Sequence, residues 1–201
     1  SSVCASLLAG HGACFTSTTS WDTVDMCGED TDLAVHRYGT EFVRGVAAIE
    51  GPPGTGKTYT LARIVQAMRS RGLTVAVTAP SHRVLQSMES TLEAFSVETY
   101  RISPQTKTTL KRGLKAGAVV LGTTHQFCKP EARHQFDFLL VDEAGQLPFA
   151  DVLASAHASK DGLLLAGDTK QLPHIALCIH GGYADQSGLE QAVGSIPAGS
   201  S

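Results

Sequence analysis

The sequence has no apolar run long enough to cross a membrane, which takes roughly 20 predominantly apolar residues. The short apolar stretch at residues 3–10 lacks a basic leader, so we do not expect a secretory signal. These absences predict a protein that is not secreted and has no membrane partner. We expect it to work inside the cell, in the cytoplasm or nucleus.

The sequence also lacks the closely spaced cysteine pairs of a disulfide framework. Its five cysteines are odd in number and include no CxxC pair, which is typical of reduced thiols in an intracellular protein. Cys4, His11, Cys14 and Cys27 match no familiar zinc spacing. We therefore expect no metal site among them.

Positive charge is not in excess, since 16 basic residues stand against 19 acidic ones and the net charge is −3. A protein that holds nucleic acid by bulk charge is usually basic. Any nucleic-acid contact must therefore come from a local groove with a few hydroxyl or amide groups.

The composition is that of one globular domain, with 42% hydrophobic and 17% charged residues. Residues 1–35 are rich in small polar residues and show no periodicity, so we predict an irregular or poorly ordered segment there. A single domain is predicted at residues 36–179. A flexible tail is predicted at residues 180–201.

Apolar segments alternate with helical patterns along the predicted domain. Strands are predicted at residues 46–50, 73–78, 97–102, 118–122, 136–141 and 162–166. Helices are predicted at residues 57–71, 81–95, 106–115 and 147–155, after a short amphipathic helix between about residue 32 and residue 45. This alternation predicts an α/β fold, a mostly parallel sheet with helices on both faces in three layers. Ligands of such sheets bind at the carboxyl ends of the strands.

A glycine-rich loop, Gly-Pro-Pro-Gly-Thr-Gly-Lys-Thr, joins the first predicted strand to a helix at residues 51–58. This is the P-loop pattern, in which main-chain N–H groups surround phosphate oxygens. Lys57 is predicted to reach the β- and γ-phosphates of ATP, and the Thr58 hydroxyl to ligate Mg²⁺. The remaining residues predicted to bind the phosphates are Gly51, Pro52, Pro53, Gly54, Thr55 and Gly56.

Two adjacent acids, Asp142 and Glu143, follow the strand predicted at residues 136–141. Asp142 is predicted to hold Mg²⁺, usually through water, because this ion keeps much of its hydration shell. Glu143 is predicted to orient and deprotonate the attacking water. An Asp–Glu pair at a strand end is common, so this interpretation depends on its combination with the P-loop.

The acids continue as Asp142-Glu-Ala-Gly-Gln146, and Gly167-Asp-Thr-Lys-Gln-Leu-Pro173 follows. With the P-loop, these segments resemble motifs II, III and I of superfamily-one helicases, most closely the branch of the nonsense-mediated-decay RNA helicase. The resemblance covers residues 46–173. It implies the first RecA-like motor domain of a helicase, a P-loop NTPase that couples Mg-ATP hydrolysis to binding or unwinding of RNA or DNA. It also implies that Gln171 binds and senses the γ-phosphate and that Asp168 supports the same turn.

Two further segments carry the resemblance to the nucleic-acid side of the family. Residues 78–82 resemble motif Ia and residues 122–124 resemble a later strand-end motif, which implies contacts from Ser81, Thr123 and Thr124 to a single strand. Ser81 is nearly as well suited to be only a helix cap, and the two threonines to be only turn residues. Four further basic residues could form a stripe near the nucleic-acid-binding groove, or they could equally well be the solvated face of a helix. They are Lys107, Lys111, Arg112 and Lys115.

The sequence departs from the family in several places. It has no glutamine before Gln66, so the upstream glutamine that relatives use to read adenine is missing. His82 stands in place of the usual Asn of motif Ia, and His174 in place of a second Pro. Only 28 residues follow Pro173, whereas a second motor domain needs well over a hundred.

We therefore expect a second RecA-like domain or a partner protein to supply an arginine finger, which is worth roughly 10³- to 10⁵-fold in rate. The isolated chain, a fragment on this interpretation, should hydrolyse ATP slowly and should not unwind duplexes.

Two other functions fit part of the pattern. One is a non-motor ATP-binding switch module that acts on a protein partner. The other is a different P-loop enzyme, either a hexameric ATPase or a nucleotide kinase. The element at residues 167–173 argues against a hexameric ATPase, and the clustered arginines of a kinase lid are not found.

Overall fold

The structure, a computed structural model, describes residues 31–102 and 110–168, together with the main chain of residues 14–15 and 23–25. Its strands are β1 Cys14–Phe15, β2 Thr23–Asp25, β3 Phe42–Glu50, β4 Val75–Ala79, β5 Thr99–Arg101, β6 Val119–Thr123, β7 Phe136–Val141 and β8 Ser159–Gly167. The order across the sheet is β1-β3-β8-β7-β4-β6-β5, and β2 pairs with β3. Only the pairing of β1 with β3 is antiparallel among these strands. The predicted mostly parallel α/β sheet is confirmed.

The helices of the described residues connect these strands. They are α1 Thr31–Ala34, which continues as a π-helix over Val35–Glu41, α2 Lys57–Ser70, α3 His82–Ala94, α4 Leu110–Ala116, α5 Thr124–Phe127 and α6 Phe149–Ala156. Short 3₁₀ turns lie at Pro130–Ala132 and Ala144–Gln146. Among these helices, none is long and apolar enough to cross a bilayer.

Helices cover both faces of the sheet, as predicted, because successive strand residues point to opposite sides. Ile49 of β3 packs with Leu61 of α2 and Leu85 of α3 on one face. Its neighbour Ala48 belongs to a second cluster, with Val152 of α6, on the other face. The core strands are buried on both sides, which explains why they read as continuous apolar runs.

One acid interrupts the apolar run of β7 at the end of the sheet away from the P-loop. The Thr74 amide and hydroxyl both donate to Oδ2 of Asp137 at 2.7 Å, and the Lys160 ammonium lies 3.2 Å from Oδ1. Burial raises the pKa of Asp137, but the Thr74 hydrogen bonds and the Lys160 charge outweigh it and lower that pKa below its usual value. Asp137 thereby ties the starts of β4, β7 and β8 together.

The boundaries of most elements lie within a few residues of the prediction, and β3 differs most. It begins at Phe42 instead of residue 46, and the helix predicted to reach residue 45 ends at Glu41. The added strand residues pair with distant ones, such as Arg44 with Cys14 and Gly45 with Gly162. Long-range pairing of this kind overrides local pattern.

Some predictions fall wholly or partly outside the described residues. β1 and β2 lie in the segment predicted to be irregular, and both pair with β3. The structure does not describe the side chains of Cys4, His11, Cys14 and Cys27. The first part of the helix predicted at residues 106–115 and the tail at residues 180–201 also lie outside the described residues. The predicted domain boundaries remain predictions.

We expect Phe138→Ala to destabilise the domain by about 3–5 kcal/mol, because the Phe138 ring is buried and packs against Phe42 with ring centroids 5.1 Å apart. Urea unfolding followed by circular dichroism measures this change in the free energy of unfolding. Leu33→Ala is the control, since Leu33 is 49% exposed and should change stability by less than about 1 kcal/mol. Equal effects of the two variants would contradict this account of the core.

Candidate functional site

The residues of the P-loop and the two acids, which are predicted to bind ATP and Mg²⁺, lie where β3, β8 and β7 end side by side at the carboxyl edge of the sheet. The sheet order puts β8 between β3, which leads into the P-loop, and β7, which leads into the two acids. The Gly51 amide donates to the carbonyl of Gly167 at 3.1 Å. The end of β8 is thus bonded to the first residue of the P-loop.

The P-loop connects β3 to α2 and holds its shape through its own main chain. Gly54 and Gly56 both have φ of 83°, a left-handed conformation that other residues resist. A side chain at either position would meet no atom within 4 Å, so the backbone angle, not packing, requires glycine there. The Thr55 amide and hydroxyl both donate to the carbonyl of Pro52.

Lys57 begins α2 and points back into the loop. Its ammonium donates to the carbonyls of Gly51 at 2.6 Å and Pro52 at 2.9 Å, and the residue is 6% exposed. An ammonium has three donors, so one remains to bond a phosphate oxygen. The first amides of α2 lack intrahelical partners and add the positive end of the helix dipole at the same place.

Thr58 and Asp142 meet across the site, although 84 residues separate them in the chain. The Thr58 hydroxyl donates to Oδ2 of Asp142 at 3.0 Å. Two oxygens bound to adjacent positions of octahedral Mg²⁺ are about 3.0 Å apart, given metal–oxygen distances near 2.1 Å. The spacing of this pair therefore fits two oxygens that ligate magnesium directly.

Among residues 31–102 and 110–168, no three His, Cys, Asp or Glu side chains cluster as a cation site. A magnesium ion at the Thr58–Asp142 pair would therefore take its remaining oxygen ligands from phosphate and water, as this ion commonly does.

Asp142 is fully buried, and this burial raises its pKa to about 6. The Thr58 hydroxyl and the Glu143 amide bond to its two oxygens, and with the Lys57 charge they lower the pKa again, while the negative charge of Glu143 raises it. The net effect is that ionisation of Asp142 costs free energy in the folded protein. A divalent cation beside it would remove that cost.

Glu143 has an unusual backbone for its residue type, with φ of 53° and ψ of 41°. A non-glycine residue in this left-handed region costs of order 1 kcal/mol. The conformation turns the chain sharply after Asp142, and Oε2 of Glu143 accepts a hydrogen bond from Nε2 of Gln146 at 3.3 Å. The Glu143 side chain is partly exposed at the site edge.

Gln171 lies outside the described residues, which end at Asp168. Asp168 is 7% exposed and directly follows β8. The chain that leads to Gln171 therefore leaves the sheet from the strand between the P-loop and the acids.

The residues predicted to contact nucleic acid lie at the ends of the next strands. β4 and β6 are neighbours, with Ala79 opposite Thr123, and Ser81 follows two residues after Ala79. Ser81 caps α3, since its hydroxyl accepts from the Val84 amide at 3.3 Å, so the predicted cap is confirmed. A hydroxyl that accepts one bond retains its own proton to donate, so capping and phosphate contact are compatible.

The two threonines differ in accessibility. Thr123 is partly exposed, whereas Thr124 is 9% exposed and begins the short helix α5. Thr123 is therefore the better placed of the two to reach a ligand. On α4, the exposed residues Lys111, Arg112 and Lys115 are solvated, and Lys107 lies outside the described residues.

Sequence reasoning missed Arg101, the last residue of β5. Its guanidinium donates to the carbonyl of His82 at 2.8 Å and to Glu89 at 3.3 Å, which fixes the start of α3 against β5. No local sequence pattern predicts these contacts, because the partners are 19 and 12 residues away in the sequence. Arg101 therefore holds the first turn of α3, the helix that Ser81 caps.

The model of a protein family described as an AAA domain matches residues 34–184 of the chain. The chain is 28% identical over 158 residues to the DNA replication ATP-dependent helicase/nuclease DNA2 of Gallus gallus, covering 66% of this chain and 16% of that protein. It is 29% identical over 132 residues to the ATP-dependent RecD2 DNA helicase of Deinococcus radiodurans, covering 65% and 16%.

The chain is also 31% identical over 111 residues to the Regulator of nonsense transcripts 1 homolog of Drosophila melanogaster, covering 54% of this chain and 9% of that protein. The chain thus spans 9 to 16% of the length of these curated relatives.

Solved helicase structures share the fold. The arterivirus nonstructural protein 10 helicase superposes with a TM-score of 0.52 at 19% identity, covering 74% of this chain and 33% of that one. Bacteriophage T4 UvsW superposes with a TM-score of 0.54 at 14% identity, covering 70% and 30%. At these identities the likeness establishes the fold, a RecA-like α/β domain, and the predicted fold class is confirmed.

We expect Asp142→Asn to stabilise the cation-free protein above pH 7 by as much as about 3 kcal/mol, the free energy that corresponds to a pKa of about 6 against a usual 3.8. Because burial raises the pKa, the wild-type carboxyl is protonated and costs nothing below pH 4. Stability is then lost as pH rises from about 4 to about 6. The gain should therefore disappear near pH 4.

Urea unfolding in EDTA at several pH values measures this difference, and the exposed Asp161→Asn is the matched control. A stabilisation that is the same at pH 4 and pH 7.5 would contradict the role of the buried charge.

Proposed function

Since the chain belongs to the AAA domain family, we propose that it is the ATP-binding motor domain of a superfamily-one nucleic-acid helicase. In this function the domain hydrolyses Mg-ATP and couples hydrolysis to the binding of single-stranded RNA or DNA. The names of the relatives support both types of nucleic acid, because they include DNA helicases and a regulator of nonsense transcripts. The function places the protein inside the cell.

The observation that carries the proposal is the hydrogen bond between Thr58 and Asp142. It joins the end of the P-loop to a carboxylate that is fully buried at the carboxyl end of β7. An acid with only a structural role would not need to lie beside the glycine-rich P-loop, as Asp142 does. A magnesium–triphosphate site needs all of these features together.

Each residue then has a defined task in hydrolysis. The P-loop amides and the Lys57 ammonium would hold the phosphates, and Thr58 and Asp142 would hold Mg²⁺. The metal, when bound, neutralises charge that develops on the phosphate oxygens. Glu143 accepts a proton from the attacking water, and Gln171 donates to the terminal phosphate and is released when it leaves.

The nucleic-acid strand is proposed to run along the carboxyl ends of β4 and β6. Ser81 and Thr123 donate hydroxyl protons to its phosphates there. Arg101, which is paired with Glu89, bonds the His82 carbonyl and so holds the start of α3 behind Ser81. This fits a chain of net charge −3, because it uses a few placed donors instead of bulk charge.

A second RecA-like domain or a partner protein is proposed to complete the site with an arginine. The rate contribution of such an arginine is roughly 10³- to 10⁵-fold. The chain by itself is therefore expected to bind Mg-ATP firmly and to turn it over slowly.

We expect Lys57→Ala to abolish ATP binding, because it removes the cation that faces the phosphates. Glu143→Gln should keep binding and lower the turnover rate by roughly 10²- to 10⁴-fold, since only the base is lost. Calorimetry with Mg-ATP measures binding, and phosphate release measures turnover.

Lys129→Ala and Glu131→Gln are the matched controls, since both residues are exposed and lie outside the proposed site. Wild-type protein that takes up no nucleotide at millimolar Mg-ATP would refute the proposed function.

We expect Ser81→Asp to abolish stimulation of the ATPase by single-stranded nucleic acid while preserving stability. Aspartate caps a helix as well as serine does, but it offers no proton and repels phosphate. Ser81→Asn is the matched control, because it keeps both a cap and a donor.

ATPase assays with poly(U) and with oligo(dT) report the stimulation and compare RNA with DNA. If neither strand stimulates the wild-type ATPase, the nucleic-acid part of the proposal is wrong and a switch acting on a protein partner becomes the better interpretation.

A further inference from the structure

We propose that Gly145 is a positioning residue that sets the place of the hydrolytic base Glu143 by its contact with the end of β8. The inference rests on the proposed function and adds a residue to it. Gly145 is buried in the 3₁₀ turn after the two acids, and it lies against the main chain of Asp168.

The approach between these two backbones is too close for any side chain. A Cβ atom added at Gly145 would lie 2.7 Å from the carbonyl oxygen of Asp168 and 3.5 Å from its carbonyl carbon. Ordinary van der Waals contact begins at 3.4 Å, so an alanine would force a separation of about 0.7 Å. The obstacle is backbone, which does not swing aside as the end of a flexible side chain would.

One partner in this contact is fixed by the sheet. The Gly167 carbonyl accepts the Gly51 amide, and Gly167 is paired with Glu50 of β3. The residue before Asp168 is thus bonded to the P-loop and to β3, which limits how far Asp168 can move away from Gly145.

The other partner is a small turn that is anchored by the buried side chains of Ala144 and Leu147 and held together by internal hydrogen bonds. The Gln146 amide donates to the Glu143 carbonyl at 2.9 Å, and the Leu147 amide donates to the Ala144 carbonyl at 3.2 Å. The Gln146 side chain also bonds to the Glu143 carboxylate. A displacement of the Gly145 backbone away from Asp168 is therefore transmitted within the turn to Glu143, whose left-handed backbone is already strained.

Asp142 receives one hydrogen bond from the turn, from the Glu143 amide to its Oδ1 at 3.0 Å, and is otherwise held from outside the turn. Its amide donates to the carbonyl of Thr78 in β4 at 2.9 Å, and its carboxylate is held by Thr58. The contacts that bind nucleotide and metal thus lie on the sheet and the P-loop, and the base lies on the turn. Displacing the turn should impair the chemical step and leave binding intact.

The test is Gly145→Ala in the full chain. We expect the turnover number to fall by about 10- to 100-fold, because a misplacement approaching 1 Å costs up to about that much. The apparent KM for ATP and the calorimetric Kd for Mg-ADP should stay within about two-fold of wild type, because they depend on the P-loop and Asp142.

Gly113→Ala is the matched control, because its Cβ would also lie 2.7 Å from another atom, the Tyr100 ring, in α4 outside the proposed site. It should lower thermal stability without changing turnover per folded molecule. Gln146→Ala, which introduces no clash, removes the side-chain bond to Glu143 and should lower turnover with the same unchanged Kd.

A double-mutant cycle tests whether Gly145 acts through Glu143. Adding Gly145→Ala to Glu143→Gln should cause no further loss of turnover, since the base is already absent. Additive losses, wild-type turnover in Gly145→Ala, or a parallel loss of Mg-ADP binding would each overturn the inference. If the wild-type chain neither binds nor hydrolyses ATP, the proposed function fails and this inference fails with it.

Discussion

The site depends on the burial of one carboxylate, Asp142, at the carboxyl end of the central strand β7. A carboxylate without solvent is unfavourable unless donors and cations surround it. Thr58, the Glu143 amide and the charge of Lys57 supply part of that environment. Thr58 and Lys57 come from a different strand–loop unit than Asp142, so the two halves of the site are held in register by the intervening strand β8.

Much of this arrangement could be predicted from the sequence, because it is encoded in local patterns. The glycines at 54 and 56 are required by positive φ, and the apolar run of β7 ends where the acids begin. The features that sequence reasoning missed depend on distant contacts. The early start of β3 follows from pairing with β1 and β8, and Arg101 finds its partners across a loop. The need for glycine at 145 comes from the carbonyl of Asp168, which no local pattern reveals.

The same edge of the sheet serves both ligands of the proposed function. The nucleotide residues follow β3 and β7, and the hydroxyls proposed to contact a strand follow β4 and β6. β4 lies between β7 and β6, and its carbonyl at Thr78 accepts the Asp142 amide. The β-strand β4 thus contacts both the proposed metal-binding region and the region proposed to bind nucleic acid. Motions of one region are therefore expected to bias the other through packed backbone instead of through long flexible loops.

The position of β8 in the sheet also has a consequence for biosynthesis. β3 and β7 both need β8 as a neighbour, yet Ser159–Gly167 is synthesised long after the P-loop. Parallel pairings between segments so far apart form late, because a long chain must first be closed into a loop. A nascent chain on the ribosome therefore cannot assemble the nucleotide pocket until β8 has left the exit tunnel. Until then the apolar edges of β3 and β7 are available to chaperones.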